Sequence, residues 1–504
     1  MLQGDTAQPS SRSDAPSETV STIVLAAGAG TRMRSATPKM LHRIAGRPLV
    51  EHAVRAAAGV DPDSLVVVLG HGRDAVAEHL TGLAAVLDRP ISTAVQEEQL
   101  GTGHAVACGL SELATGLTGT VLVSYGDVPL LDSATLRGLL DEHRESGNAV
   151  TVLTAVVDDP TGYGRMLRDA DGQVIGIVEQ KDATAEQAEI TEINSGVYAF
   201  DAELLAAALK QLSTDNSQGE LYLTDVLSIA RADGLAVGAL VCADPWLVEG
   251  VNDRVQLANL GAELNRRLLL HWMRAGVTIT DPNSVWLDCD VVLDRDVVLE
   301  PGVQLRGGTT VGEGATIGPD TTLTGCTVDP GASVVRTHGE GAEVGANATV
   351  GPFAYLRPGT RLDANGKIGT FVETKNASIG EGTKVPHLTY VGDATIGAHS
   401  NIGAATIFVN YDGVAKHHTV IGSHARTGAD NMFVAPVEVG DGAYTAAGSV
   451  ITQDVPPGAM AVARGRQRNI EGWVARRRPG TAADQAAQQA LANEPTTNPT
   501  KDAQ

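Results

Sequence analysis

Four short apolar runs, Ile23–Ala26, Leu65–Leu69, Val121–Ser124 and Val150–Ala155, punctuate the first half of the chain, separated by helix-like stretches such as Pro48–Ala58 and Ser133–Glu145. Runs that are apolar at every position suit strands buried on both faces, which parallel sheets require. Their alternation with helices from Thr22 to Val248 predicts an α/β domain, a doubly wound, Rossmann-like sheet whose ligands bind beyond the carboxyl ends of its strands. From Val251 to Ala275 a stripe of Val251, Val255, Ala258, Ala262, Leu269 and Trp272 predicts one long linker helix, with Gly276 at its C-terminal cap. The pattern then changes abruptly. Leu287, Leu293, Leu299, Leu305, Val311, Ile317 and Leu323 recur every sixth residue. Further registers run through Val344, Val350, Leu356, Leu362 and Ile368, through Val385 and Val391, through Ile396 and Ile402, and through Ile421, Val439 and Ile451. One inward aliphatic per hexad, with Gly, Asp or Asn at the corners, describes a left-handed parallel β-helix of hexapeptide repeats, with three hexads to a coil and roughly nine coils in all.

Five segments are therefore expected: a disordered tail at 1–19, the α/β domain at 20–250, the linker at 251–276, the β-helix with its extension at 277–478, and a second disordered tail at 479–504. With 57 glycines and only 3% aromatic residues, the composition fits small-residue corners better than an aromatic core. A net charge of −23 argues against general nucleic-acid binding, because phosphate neutralisation needs a basic face. No apolar stretch is long enough for a membrane span and no secretory h-region opens the chain, so a cytoplasmic protein is expected. The widely spaced Cys108, Cys242, Cys289 and Cys326 form no CxxC pair, which points to free thiols rather than disulfides or a metal site.

The first apolar run leads directly into Ala27-Gly28-Ala29-Gly30-Thr31-Arg32-Met33, followed by Pro38-Lys39. A Gly-rich turn after a strand offers backbone N–H groups to a phosphate, and Arg32 and Lys39 add the local cations that an acidic protein needs to hold a triphosphate. Leu-Ala-Ala-Gly-x-Gly-Thr-Arg-Met with Pro-Lys resembles the signature of the sugar-1-phosphate nucleotidyltransferases. Further segments narrow the resemblance to the N-acetylglucosamine-1-phosphate uridylyltransferases: Gln96, the run Gln99–Ala105, Tyr125-Gly126-Asp127, Thr161–Arg165, Glu179, Asn194 and Val248–Asn252. The resemblance implies that Asp127 and Asn252 hold Mg²⁺ and that Arg32 and Lys39 offset charge on the reacting phosphates. It further implies that UTP and UDP-N-acetylglucosamine are bound by Leu25, Ala26, Ala27, Gly28, Lys39, Gln96, Gly101, Thr102, Tyr125, Gly126, Asp127, Gly164, Glu179, Asn194 and Asn252.

Within the repeats, Pro386-His387-Leu388-Thr389-Tyr390 sets a histidine and a tyrosine three residues apart on an extended segment, and Arg357 and Lys375 bring cations from nearby coils. This string is similar to the acetyltransferase half of the bifunctional GlmU family, and the likeness spans about residues 20–475. It implies His387 as general base, with Arg357, Lys375, Tyr390 and Asn401 on glucosamine-1-phosphate. It implies Ala404, Asn410, Tyr411, Lys416, Ala429, Ala447 and Arg464 on acetyl-CoA. Two positions depart from the family pattern: Ala405 stands where Gly is common and Ala429 where Ser is usual, which removes a hydroxyl near the thioester. A homotrimer with acetyltransfer sites between subunits is expected, with Trp473 reaching a neighbour or anchoring the surface. The competing reading is a uridylyltransferase whose β-helix only assembles or regulates it; the set Arg357, Lys375, His387 and Tyr390 argues against a bare scaffold.

Overall fold

The computed structural model describes residues 19–113 and 117–493, so residues 1–18 of the tail expected at 1–19 and the stretch beyond 493 lie outside the described residues. The chain divides into two compact units, 1–378 and 379–504. The division falls inside the repeats, not at the composition change near residue 277, because hydrogen bonds sew the first coils to what precedes them. The Asn265 amide of the linker helix donates to the Val285 carbonyl at 2.8 Å and accepts from Leu287 N at 3.0 Å. Cys289 N donates to the Ala45 carbonyl at 2.9 Å, and Arg47 pairs with Asp290.

The first unit opens with a nine-stranded sheet: β1 (Val20–Ala26), β2 (Ser64–Leu69), β3 (Ser92–Val95), β4 (Thr120–Tyr125), β5 (Val150–Val156), β6 (Gly164–Arg168), β7 (Val174–Val178), β8 (Glu192–Asp201) and β9 (Val237–Cys242). Its order is β9-β5-β8-β4-β1-β2-β3, with β6 and β7 attached beside β8. All four expected apolar runs are strands. β1 pairs in parallel with β2 and β4, whereas β8 runs antiparallel to both β4 and β5, so the sheet is mixed. Side chains alternate across β1: Ile23 and Leu25 join a core shared with the helices Thr102–Ser111, Ala202–Ala208 and Asp225–Ala232, while Val24 and Ala26 face the helices Leu49–Ala58 and Arg73–Leu87. Helices on both faces make the three layers.

The linker helix spans Arg254–Arg274, with the Asp253 carboxylate capping Val255 N and Gln256 N. It ends in a Schellman motif, Val277 N to the Trp272 carbonyl and Gly276 N to the Met273 carbonyl, which confirms Gly276 as its stop signal. The expected apolar stripe is only partly right. Val255 is 68% exposed, and the buried positions are Leu260, Glu263, Asn265 and Leu269. Glu263 can be buried because Arg266 and Arg267 pair with it, and Asn265 because the first coil satisfies its amide.

The repeats that follow are parallel ladders, and every member of the Leu287–Leu323 series is buried. Trp286 pairs with Gln304 and Val292 with Thr310, eighteen residues on, as three hexads demand. The step falls to sixteen where Thr322 pairs with His338, then returns to eighteen at Tyr355 and Glu373. In the second unit Ile407 pairs with Met432, twenty-five residues on, because the loop of Asn410–His417 is inserted into that coil. The curled parallel sheet matches the left-handed β-helix expected from the hexads.

The tail expected to be disordered from 479 is instead helical over Ala482–Asn493. Its alanines and glutamines are strong helix formers, and the Thr481 hydroxyl accepts from Asp484 N at 3.3 Å, while the Asp484 carboxylate accepts from Gly480 N at 2.9 Å.

Candidate active site

At the carboxyl ends of β1 and β4 a cleft opens in two lobes, of about 250 and 260 Å³, which share Thr102, Tyr125, Asp127 and Glu220. The first lobe is lined by Leu25, Ala27, Gly28, Lys39, Gln96 and Gly101. The second is lined by Gly164, Glu179, Asn194 and Asn252. Thirteen of the fifteen residues proposed for the nucleotide sugar thus line one cleft. The other two do not. Ala26 points to the opposite face of β1, into the core with Val24 and Met40, and Gly126 acts through its backbone, its N–H donating to the Leu25 carbonyl at 2.8 Å.

The lobes meet at Asp127, beside which Lys39 stands on the first-lobe side. The Lys39 ammonium donates to the Asp127 carboxylate and stands 3.4 Å from Asn252 Oδ1, to which the exposed Arg32 guanidinium also donates at 2.9 Å. Two oxygen donors, one just past β4 and one just before the linker helix, therefore converge on one positive charge. A carboxylate and an amide oxygen are hard ligands of the kind Mg²⁺ prefers, so the pair fits the ion. Gly30 places Lys39: at φ +60, a Cβ there would lie 2.5 Å from the Lys39 Cβ, so the turn and the lysine stem pack without room between them.

In the first lobe, Gln96 follows β3 and is nearly buried. Its Nε2 donates to the Gly101 carbonyl at 3.0 Å, which orients the amide, while the neighbouring His104 Nδ1 lies 3.0 Å from the Glu98 carbonyl. In the second lobe, β8 carries a register shift between Asn194 and Val197 against β5, a bulge that turns Asn194 toward the cleft. The Asn194 Oδ1 accepts from Gly196 N at 2.9 Å, and Gly196 lies flat against the Tyr125 ring, where a Cβ would fall 2.3 Å from Cε2. Burial raises the carboxyl of Glu179 above the ordinary range, and burial likewise raises the phenol of Tyr125, with Glu179 and Asp127 adding to it.

In the repeats of the first unit, Tyr355 pairs with Glu373 and Leu356 with Thr374, which sets Arg357 beside Lys375 on adjacent coils; Arg357 donates to Glu373 at 2.9 Å. In the second unit, His387 is exposed, and the Tyr390 hydroxyl accepts from Asn410 Nδ2 at 3.4 Å. Asn401 bridges between Lys384 and Arg426 through its backbone. Ala404, Ala429 and Ala447 stack at one corner: the Ala404 carbonyl accepts from Asp430 N at 2.7 Å, that of Ala429 from Gly448 N at 2.9 Å, and that of Ala447 from Arg464 Nη1 at 3.1 Å. Ala405 adopts φ +57, the conformation a glycine takes most easily. Tyr411 and Lys416 face each other across the inserted loop, which Asp412 ties down through Val414 N, Ala415 N and His417.

A MobA-like NTP transferase domain model matches residues 22–192. Curated proteins named bifunctional protein GlmU match over nearly the whole chain. The one from Rhodococcus jostii is 63% identical over 92% of this chain and 94% of its own length. That from Corynebacterium efficiens is 60% identical over 92% and 96%, and that from Mycobacterium sp. strain KMS 61% identical over 93% and 94%. The chain belongs to the bifunctional GlmU family.

Membership accounts for the motifs, but the cleft contains residues that the motifs did not reveal. Glu220, Tyr222 and Thr224 line the second lobe. Leu223 N donates to Thr102 Oγ1 at 3.1 Å and Leu221 N to the Leu100 carbonyl at 2.8 Å, so this segment is tied to the Gly101 turn. Thr224 Oγ1 donates to Glu179 at 3.4 Å. The signal available was Gly219-Glu220-Leu221-Tyr222-Leu223-Thr224, a polar and aromatic alternation directly before the helix Asp225–Ala232.

Proposed function

We propose that the chain makes UDP-N-acetylglucosamine, a precursor of peptidoglycan and the cell envelope, in two steps. Acetyl-CoA-dependent N-acetylation of glucosamine-1-phosphate comes first, followed by uridylyl transfer from UTP. The observation that carries the second step is the convergence of Asp127, Asn252 and Lys39 where the two lobes join. The first lobe takes UTP, with Gln96 against the uracil edge; the second takes N-acetylglucosamine-1-phosphate, with Glu179 and Asn194 on the sugar. A phosphate oxygen of the sugar attacks the α-phosphorus in line, the new P–O bond forms as the bond to the β-phosphate oxygen breaks, and pyrophosphate leaves. Lys39 and Arg32 stabilise the negative charge that develops, and the Gly28 backbone lets the phosphates approach. Mg²⁺, held by Asp127 and Asn252, supplies further neutralisation of the triphosphate when bound.

For acetyl transfer, the family resemblance assigns roles residue by residue. His387 takes the amine proton as the glucosamine nitrogen attacks the thioester carbonyl; the C–N bond forms, the C–S bond breaks, and coenzyme A leaves as the thiol with that proton. Arg357 and Lys375 hold the sugar phosphate with Tyr390 and Asn401, while the Ala404, Ala429 and Ala447 corner with Asn410, Tyr411, Lys416 and Arg464 receives coenzyme A. The adjacency of two cations at Arg357 and Lys375 supports an anion there.

A homotrimer in the cytoplasm is the proposed working form. Phe353 and Phe371 stack at 5.4 Å while more than half exposed, with Arg336 over the Phe353 ring, an apolar strip that assembly would cover. Among the described residues no helix is long and apolar enough to cross a membrane, and the four cysteines are unpaired. A paired assay tests the proposal. Glucosamine-1-phosphate with acetyl-CoA should release free coenzyme A, and later addition of UTP and Mg²⁺ should yield pyrophosphate and UDP-N-acetylglucosamine. No coenzyme A release, with uridylyl transfer intact, would leave a uridylyltransferase alone; no nucleotide sugar from N-acetylglucosamine-1-phosphate would remove the whole reading.

A further inference from the structure

A second groove, of about 680 Å³, lies between the linker helix, the hairpin Arg43–Pro48 and the first coils, and it shares no lining residue with the reaction cleft. Its volume falls within the range of small-molecule sites. Its floor is apolar, formed by Leu257 and Leu287, and by Gly261, where a Cβ would come within 3.4 Å of Ile44. One wall is Trp286, 47% exposed, with Gln304 paired beside it on the next coil. Trp286 is the outward-facing residue of its strand, so its indole is presented to the groove, where a flat ligand would cover it.

The charge at the rim inverts that of the protein. The chain as a whole carries 60 acidic and 37 basic residues, yet the groove is lined by Arg43, Arg254 and Arg306 against a single carboxylate, Asp288. That carboxylate accepts from Gly307 N at 3.0 Å. The arginines are positioned by single hydrogen bonds: Arg43 to the Gly46 carbonyl at 2.6 Å, Arg254 to the Met33 carbonyl at 3.2 Å, and Arg306 to Gln304 at 2.5 Å. A guanidinium carries five N–H groups, so each anchored arginine keeps donors for an anion.

We infer that this groove is a binding site for a small organic phosphate with a planar ring, the chemistry of a nucleoside monophosphate, distinct from both reaction sites. The ring lies on Trp286 with its edge toward Gln304, and the phosphate meets the arginines. Arg254 also joins the site to the phosphate turn, since the carbonyl it holds belongs to the residue after Arg32.

Calorimetric titration of the full chain with adenosine 5′-monophosphate tests this, run in parallel on Lys39→Ala and Arg464→Glu chains to report any binding at a reaction site. One ligand should bind per chain. Arg306→Glu should weaken it by roughly tenfold or more and Trp286→Leu by roughly fivefold, with inorganic phosphate binding more weakly than the nucleotide. Retained uridylyl transfer in both variants shows that they fold. Binding that a reaction-site substitution removes, binding that neither groove substitution weakens, binding no tighter than that of phosphate alone, or no binding at all would each overturn the inference. Failure of the chain to make UDP-N-acetylglucosamine would not bear on it, because the titration reads occupancy and not turnover.

Discussion

Lys39 donates a hydrogen bond to Asp127 across 88 residues of sequence, at the point where the two lobes of the cleft join. The carboxylate extends from the end of β4 and the ammonium from the turn after β1, so the pair closes the carboxyl edge of two neighbouring strands.

Gly30→Ala should disable uridylyl transfer without touching the reacting groups. The added methyl meets the Lys39 stem at 2.5 Å in a backbone conformation that alanine resists. A fall of about 100-fold in kcat/KM, or ~2.7 kcal/mol of barrier, is expected with acetyl transfer unchanged. Steady-state kinetics of both half-reactions on one preparation would decide; a normal uridylyl rate would mean that Lys39 does not need its present place.

Gln96→Ala should relax nucleotide choice. Under the proposed function, with its NH₂ held by the Gly101 carbonyl, the amide oxygen accepts from the N3–H of uracil, a donor that cytosine lacks. Competition between UTP and CTP should show discrimination eroded by roughly 10- to 100-fold. Unchanged preference would place base reading elsewhere.

Glu263→Gln should destabilise the chain at neutral pH and lose that effect in acid. The hydrogen bond from Arg266 holds the Glu263 carboxyl below the ordinary range, burial opposes this, and Arg267 adds to the lowering. A depressed folded-state value means the stabilisation is present above the ordinary carboxylate pKa and fades as pH falls through the lowered one. Urea unfolding should show a loss of about 1 kcal/mol near pH 7, shrinking toward zero in acid.

Thr481→Ala should unravel the start of the helix Ala482–Asn493, since its hydroxyl caps Asp484 N. A loss of about 1 kcal/mol of helix stability is expected, read by amide hydrogen exchange over that segment.

Much of this architecture was legible in the sequence, and the exceptions have physical causes. The hexad ladder could be read because each coil repeats the same demand, one aliphatic inward per face; the five-residue steps that carry Leu323 to Val328 and Val334 to Gly339 break the count without breaking the pairing. Ala26 was placed in the site by its motif, but the two-residue period of β1 sends its side chain to the far face. Glu220, Tyr222 and Thr224 were missed because their link to the Gly101 turn is a tertiary hydrogen-bond pattern, not a spacing. Val255 was assigned to a buried stripe by periodicity alone, while the burial of Glu263 and Asn265 depends on partners that no helical wheel contains. The helix past residue 481 was obscured by composition, although Thr481-Ala482-Ala483-Asp484 carries a capping signal.

The most direct test of two chemistries on one chain measures both half-reactions in Asp127→Asn and His387→Ala, each checked for the wild-type assembly state. The asparagine variant should lose at least about 100-fold in pyrophosphate release while still freeing coenzyme A at the normal rate, and the alanine variant should do the reverse. Loss of both activities from either substitution in an intact assembly would contradict separate sites.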